Sequence, residues 1–246
     1  MMGRLYRNPP IIEAVCEFRF EPSQPWDWTV IGLVYDRIKD EFPEKRQRND
    51  IQLAIHAQGA EITQQFQMQF WRKDNKALVQ VGVDLLTVNL LKPYPNWQTF
   101  KDLIVRMLTI YKDITCPKGF RRIGLRYINR IDPPEEKVKI EDYLSTYPIV
   151  PSDMPQTYAH WFQRIVIPFE RSNGLLVLHA GSIHDEQQQR LAFLLDLDFG
   201  TLKGEKVPLD QAMDWLEQAH TMVEQVFESC ITDKARMLFE EVTANV

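Results

Sequence analysis

Hydrophobic and polar residues alternate with period two over Gly119 to Asp132, near the middle of the chain. Ile123, Leu125, Tyr127 and Ile131 fall on one face, and Arg122, Arg126 and Arg130 on the other. Three arginines on one strand face call for acidic partners, because Lys or Thr would serve a merely wet face as well. The same period marks Ile11 to Phe20, where Ile12, Ala14, Cys16, Phe18 and Phe20 stand against Glu13, Val15, Glu17 and Arg19. Asn8-Pro9-Pro10 fixes an extended approach to this strand, and Pro22 and Pro25 end it. The period then changes to 3.6: Trp26, Val30, Leu33, Val34, Ile38 and Phe42 predict a helix over Trp26 to Phe42, stopped by Pro43. Glu44 to Asp50 reads as a charged loop. Three strands are predicted after it, Ile51 to Gln58, Ile62 to Arg72 and Ala77 to Leu91, with hairpin turns at Gly59-Ala60 and Asp74-Asn75. Pro93 and Pro95 precede a second amphipathic helix, Trp97 to Ile114.

Beyond the arginine strand and Asp132-Pro133-Pro134, Ile140 to Tyr147 offers one or two helical turns. Strands are predicted over Tyr158 to Glu170, Gly174 to His184 and Arg190 to Phe199, with a turn at Ser172-Asn173-Gly174. A long helix after Pro208 carries Leu209, Met213, Leu216, Ala219, Val223, Val226 and Phe227 as its stripe. Thr232-Asp233 is an N-cap signal for a short last helix, Lys234 to Val242. The stripe of Ala235, Leu238, Phe239 and Val242 is too short to be stable alone, so the segment Thr232 to Val246 must dock on its own sheet or on another chain.

The two halves, 1–116 and 117–246, then share one order: strand, helix, three antiparallel strands, helix. The expected fold is α+β, a duplicated β-α-β-β-β-α unit in one pseudo-twofold domain, with antiparallel sheet covered by helices on one face. Duplication is preferred over chance likeness, since Phe18-x-Phe20-Glu21-Pro22 matches Ile131-Asp132-Pro133 and Phe42-Pro43 matches Tyr147-Pro148. It makes the first strands of the halves natural neighbours, so that Glu13 and Glu17 face the level of Arg122, Arg126 and Arg130.

Composition narrows the class. A chain of 246 residues, 44% hydrophobic and 26% charged, buries a core without staples. A net charge of −5 argues against a general nucleic-acid binder. Cys16, Cys116 and Cys230 are odd in number and far apart, in no Cys-x-x-Cys spacing, so neither disulfides nor a zinc site are expected and a reducing cytoplasm fits. The N-terminus lacks the apolar core of a signal peptide, and no apolar run is long enough to span a bilayer, so no membrane partner is expected.

Candidate chemistry is sparse. With ten glycines and no phosphate-binding loop, nucleotide hydrolysis loses its best support. No Gly-x-Ser-x-Gly elbow occurs, and no cysteine has a nucleophile context. His179, His184, Asp196 and Asp198 form the best metal or acid–base set, but His179 and His184 are five apart and fall on opposite strand faces, so solvent-facing roles are preferred. Glu13, Glu17, Arg19, Arg122, Arg126 and Arg130 form the other constellation, either an anion site or an internal charge ladder. The ladder is preferred, because Glu13 and Glu17 stand about 13 Å apart on an extended strand, too far to act together on one glycosidic bond. No catalytic residue, metal or cofactor is assigned. For a partner, Trp28, Tyr94 and Trp97 are expected partly exposed beside helix starts, and Leu238 and Phe239 in the last helix.

The opening Asn-Pro-Pro-Ile-Ile-Glu-Ala-Val-Cys-Glu-Phe-Arg-Phe, together with Gly-Phe-Arg-Arg-Ile-Gly-Leu-Arg-Tyr-Ile-Asn-Arg-Ile, resembles a bacterial family of about this length. Its members are sporadically distributed among unrelated genomes and have no assigned activity. The resemblance covers essentially the whole chain and implies patchy inheritance of the kind common in mobile and defence-linked genes. It carries over no catalytic residue. The expected function is therefore a non-enzymatic interaction or regulatory protein, an adaptor, inhibitor or sensor subunit with a protein partner or a second copy. A small-anion or nucleotide sensor using the arginine strand, and a hydrolase with an unrecognised site, are the alternatives.

Overall fold

A computed structural model describes residues 4–56, 59–156, 159–185, 190–202, 204 and 207–242. Gln58 and Tyr158, expected at strand ends, and the last residues of the Thr232 to Val246 element lie outside them. Strand β1 (Ile11–Glu21) leads to α1 (Thr29–Ile38), then β2 (Glu44–His56), β3 (Gly59–Trp71), β4 (Ala77–Gly82), β5 (Leu85–Leu91) and α2 (Trp97–Thr115). The second half comprises β6 (Gly119–Ile131), β7 (Phe162–Phe169), β8 (Gly174–Asp185), β9 (Arg190–Thr201), α3 (Ala212–Cys230) and α4 (Asp233–Phe239), with short 3-10 turns at Ile140–Asp142 and Glu170–Ser172. The fold is α+β, with an antiparallel sheet in the strand order β2-β3-β4-β5-β1-β6-β9-β8-β7.

The chain divides into two compact units. One comprises Val15–Gly124 and Lys203–Met213; the other comprises Met1–Ala14, Leu125–Leu202 and Asp214–Val246. In the first, the alternation of β1 puts Cys16, Phe18 and Phe20 in the core. Phe20 stacks on Tyr111 of α2 at 4.5 Å, and Tyr35 of α1 stacks on Phe70 of β3 at 5.1 Å. Phe70, Val79 and Val88 share one face by register, so both helices lie on the apolar side of this unit's strands. The opposite face carries a polar row, in which Gln69 Nε2 donates to Gln80 Oε1 and Gln80 Nε2 donates to Asn89 Oδ1.

In the second unit, Tyr127 Oη lies 3.2 Å from His220 Nδ1 of α3, and Trp215 of α3 stacks on Phe199 at 5.9 Å. Helix α3 therefore covers the face that holds Leu195, Leu197 and Phe199, all buried. Arg126 and Asp196, at alternate positions, belong to the face turned away from it.

Three expectations change. Glu44 to Asp50 is not a loop: it forms the first part of β2, paired in register with Trp71 to Gln65 of β3. The charges suit an edge strand, where they discourage further pairing. Arg46 sits over the Trp71 ring at 4.4 Å, and Lys45 over Tyr35 at 4.6 Å. Ala77 to Leu91 is two strands rather than one. Gly82 pairs with Leu85 across the turn Val83-Asp84, with Asp84 in the left-handed region at φ 51, a conformation Asp tolerates. The first half thus has four strands between its helices, where three were expected. Helix α1 is also shorter than its apolar spacing suggests: its N-cap is Trp28, without a side-chain cap bond, and Asp27 just before it accepts from Thr29 N.

The last helix docks on its own chain. Thr232 Oγ1 accepts from Ala235 N at 3.3 Å as its N-cap. Phe239 is buried between Tyr6, at 5.5 Å, and Phe227, at 6.2 Å. Asn8 N donates to Phe239 O and Val242 N to Leu5 O, so the N-terminal arm runs beside the helix exit. Lys234 bridges Glu135 and Asp142, each at 2.9 Å, and Tyr143 donates to Glu135. Those bonds, from Tyr143 and then Lys234, hold the Glu135 carboxyl down at about 2.

Two predictions follow from this docking. Removing the Phe239 ring leaves a cavity, so Phe239→Ala should destabilise the unit by about 3–5 kcal/mol, read as a melting-temperature drop of roughly 10 °C. Because the folded carboxyl of Glu135 titrates below its ordinary 4.5, its contribution is complete above that value and fades as pH falls towards 2. Comparing acid melting curves of wild type and Glu135→Gln should show that part of the pH dependence missing from the variant.

Candidate functional site

Of the six charged residues expected as one ladder, Glu17, Arg19 and Arg122 cluster in the first unit, whereas in the second Arg126 and Arg130 take other carboxylates, Asp196 and Asp132. In the first unit, Arg122 Nη1 donates to Glu17 Oε1 at 2.8 Å, and Arg19 Nε donates to the same oxygen at 2.9 Å. Glu17 thus holds two arginines, one from its own strand and one from β6. The guanidinium of Arg122 lies across Gly124, where a β-carbon would collide with it. This gives the Arg-x-Gly-x-Arg spacing a physical reason: the glycine leaves room for the arginine to fold along its own strand.

In the second unit, Arg126 does not pair with Glu17. It forms a fork on Asp196 of β9, with Nε to Oδ1 at 2.7 Å and Nη2 to Oδ2 at 2.6 Å. The Asp196 side chain is 4% exposed and that of Arg126 41%. His179 of β8, directly across from Asp196 in register, places its Nδ1 3.0 Å from Oδ2. A carboxylate only accepts, so this contact sets the ring proton on Nδ1. Phe162 of β7 stacks on the His179 ring at 5.6 Å. The Asp196 hydrogen bonds raise the Arg126 guanidinium above its ordinary range, with Asp198 and Glu13 adding to the effect. Arg130 Nε donates to Asp132 at 2.7 Å, two residues along its own chain.

Of the four His and Asp residues singled out in the sequence, the structure joins His179 and Asp196. Asp198 contributes through its charge, and His184 is exposed at the far end of β8, opposite Leu191. An oriented Asp–His pair is half of a nucleophile-activating arrangement. Among the described residues, His179 makes its side-chain hydrogen bond to Asp196 and its ring contact to Phe162. No group of three His, Cys, Asp or Glu is placed to hold a metal among the described residues.

The expected partner residues separate by burial. Trp28 is exposed, edge-on to Trp26 at 5.3 Å and to Phe66 at 4.9 Å. Trp97 and Leu238 are half-buried. Tyr94 is not a surface residue: it is buried edge-on to Phe100 at 6.3 Å, as is Phe239 in its own contacts. Beside Trp26 an open recess of about 150 Å³ is lined by Phe20, Val30, Leu33, Asp84 and Tyr111. Burial pushes the Asp84 carboxyl up there, against the charge of Arg121 at 3.5 Å.

Among the described residues, β7 gathers four exposed apolar side chains in one strand. It ends the strand order and, among the described residues, pairs with β8 alone. Phe162, Ile165, Val166 and Ile167 are 61%, 39%, 41% and 38% exposed. An apolar edge strand is a template for another strand, and natural sheets normally blunt it with charge, as β2 does here. The sequence signal was present in Ile165-Val166-Ile167-Pro168, apolar on both faces and followed by a proline confined to edges.

The chain matches no family model, no curated protein and no solved structure.

Arg126→Ala should strand the Asp196 carboxylate and destabilise the protein by about 2–3 kcal/mol. That is less than the 3–5 kcal/mol of a sealed pair, because the Arg126 side chain is 41% exposed. Arg126→Gln combined with Asp196→Asn should be milder than the sum of the single changes. Glu17→Gln with Arg126→Gln should simply add, since the two share no partner. Melting curves of wild type, Arg126→Ala, the three other single changes and the two double variants check this.

Proposed function

We propose that the protein is a non-catalytic interaction protein, an adaptor, inhibitor or sensor subunit, that docks its partner through the free edge of β7. The observation that carries this reading is the row of exposed apolar residues on that edge strand. The three arginines weigh the same way: each already holds a carboxylate, Glu17, Asp196 or Asp132, which removes the charge an anion sensor would use. The Asp196–His179 pair is consistent with a structural role, because its carboxylate is locked by the Arg126 fork. A cytoplasmic setting belongs to the proposal, together with the mobile or defence-linked locus and the family likeness carried by the two motifs. So does an internal duplication, in which β1 to α2 and β6 to α3 descend from one unit and the first half has gained a hairpin.

Genetic complementation tests it. In a strain lacking the gene, wild type and Arg126→Gln with Asp196→Asn should restore the phenotype, while Val166→Pro, which damages the edge, should fail with its fold intact by circular dichroism. The opposite pattern, full function in Val166→Pro and none in the Arg126 and Asp196 double variant, would point to an anion site or a catalyst.

A further inference from the structure

Which backbone groups of β7 face outward is fixed by two observations. Ser182 N donates to Trp161 O, and Trp161 N to Ser182 Oγ, so Trp161 directs its backbone towards β8. Backbone groups alternate along a strand, and Phe162, Arg164, Val166 and Pro168 therefore turn theirs to the open edge. Pro168 agrees, since its missing N–H costs nothing on that side. By register with Leu178 and Leu176, Ile165 and Ile167 lie on the buried side of β8, and Phe162, Arg164 and Val166 on the side of His179.

We propose that the occupant of this edge is β7 of a second copy, paired antiparallel about a twofold axis at Ile165; this rests on the reading of β7 as the docking edge. In that register Arg164 and Val166 of one copy exchange both backbone bonds with Val166 and Arg164 of the other. Phe162 N–H closes each end on the carbonyl of Pro168, which needs no N–H in return. Ile165 meets its own mate and Phe162 lies beside Pro168, while Val166 lies across from Arg164 and Ile167 across from Gln163. Charge disfavours two alternatives. Moving the axis to Arg164 sets two arginines face to face, which is destabilising. Adding β7 to the β2 edge of another copy sets Arg164 among exposed Lys45, Arg46 and Arg48 and leaves a free edge at each end, an open-ended chain; the β7 pair closes on itself.

Light scattering of the purified chain should show its mass doubling as concentration rises. Val166→Pro removes one outward donor without touching the β8 ladder, and Ile165→Lys charges the axis. Both should stay at the single-chain mass with unchanged circular dichroism. The axis gives a sharper readout. Residues facing each other in a pair without mutual backbone bonds stand about 4.5 Å apart at Cα, within disulfide range. In a Cys116→Ser background, Ile165→Cys should cross-link on mild oxidation and Arg164→Cys should not. A wild type that keeps single-chain mass at every concentration, or cross-linking at Arg164→Cys instead, overturns the second copy as occupant. If Val166→Pro still fails complementation in that case, the docking edge stands with a different partner; if it complements, both readings fall.

Discussion

In each unit, charges on the strand face opposite the core must find partners at neighbouring positions, and that constraint shapes this protein. Strands β1 and β6 each give one face to the core, with Cys16, Phe18, Phe20, Ile123, Leu125 and Tyr127 buried. The opposite face carries Glu17, Arg19, Arg122 and Arg126, and their partners must come from neighbouring positions. Asp196 shows what is at stake. At 4% side-chain exposure it has lost nearly all its water, and an isolated carboxylate there would be costly. The Arg126 fork and His179 Nδ1 replace that hydration with directed bonds. Their geometry ties β6, β9 and β8 together, so the pair specifies register as well as charge balance.

With Arg122, Arg126 and Arg130 each holding a carboxylate, the exposed apolar residues of β7 remain to be accounted for. The two outer strands of the order differ sharply. β2 carries Lys45, Arg46 and Arg48 and stacks two of these cations on Tyr35 and Trp71. β7 has one charge, Arg164, among Phe162, Ile165, Val166 and Ile167. A sequence that guards one edge and leaves the other bare is consistent with a use for the bare one.

The alternation in β1 and β6 was legible because period two survives whatever the strands pack against. Helix α2 was legible because Asn96, which caps it by accepting from Thr99 N, follows two prolines. The β4–β5 turn was not, since Val83 continues the apolar run and only Asp84 signals the reversal. The charged start of β2 was read as loop because composition alone does not separate an edge strand from solvent. The partner of Arg126 was hidden for a different reason. Asp196 is seventy residues away and reaches Arg126 only because β9 lies next to β6. Strand order of that kind is a tertiary fact with no local signature, so Glu17, nearer by simple strand pairing, was the natural expectation.

The claim that this face is electrostatically closed is tested most directly by the melting temperature of wild type in low-salt buffer with and without phosphate or a nucleotide, at matched ionic strength. An anion that binds only the folded state must raise it, by an amount that grows with the logarithm of concentration. The account predicts no rise beyond the ionic-strength control, because Glu17, Asp196 and Asp132 already occupy the arginines. A saturable, anion-specific rise that disappears in Arg126→Gln would contradict it.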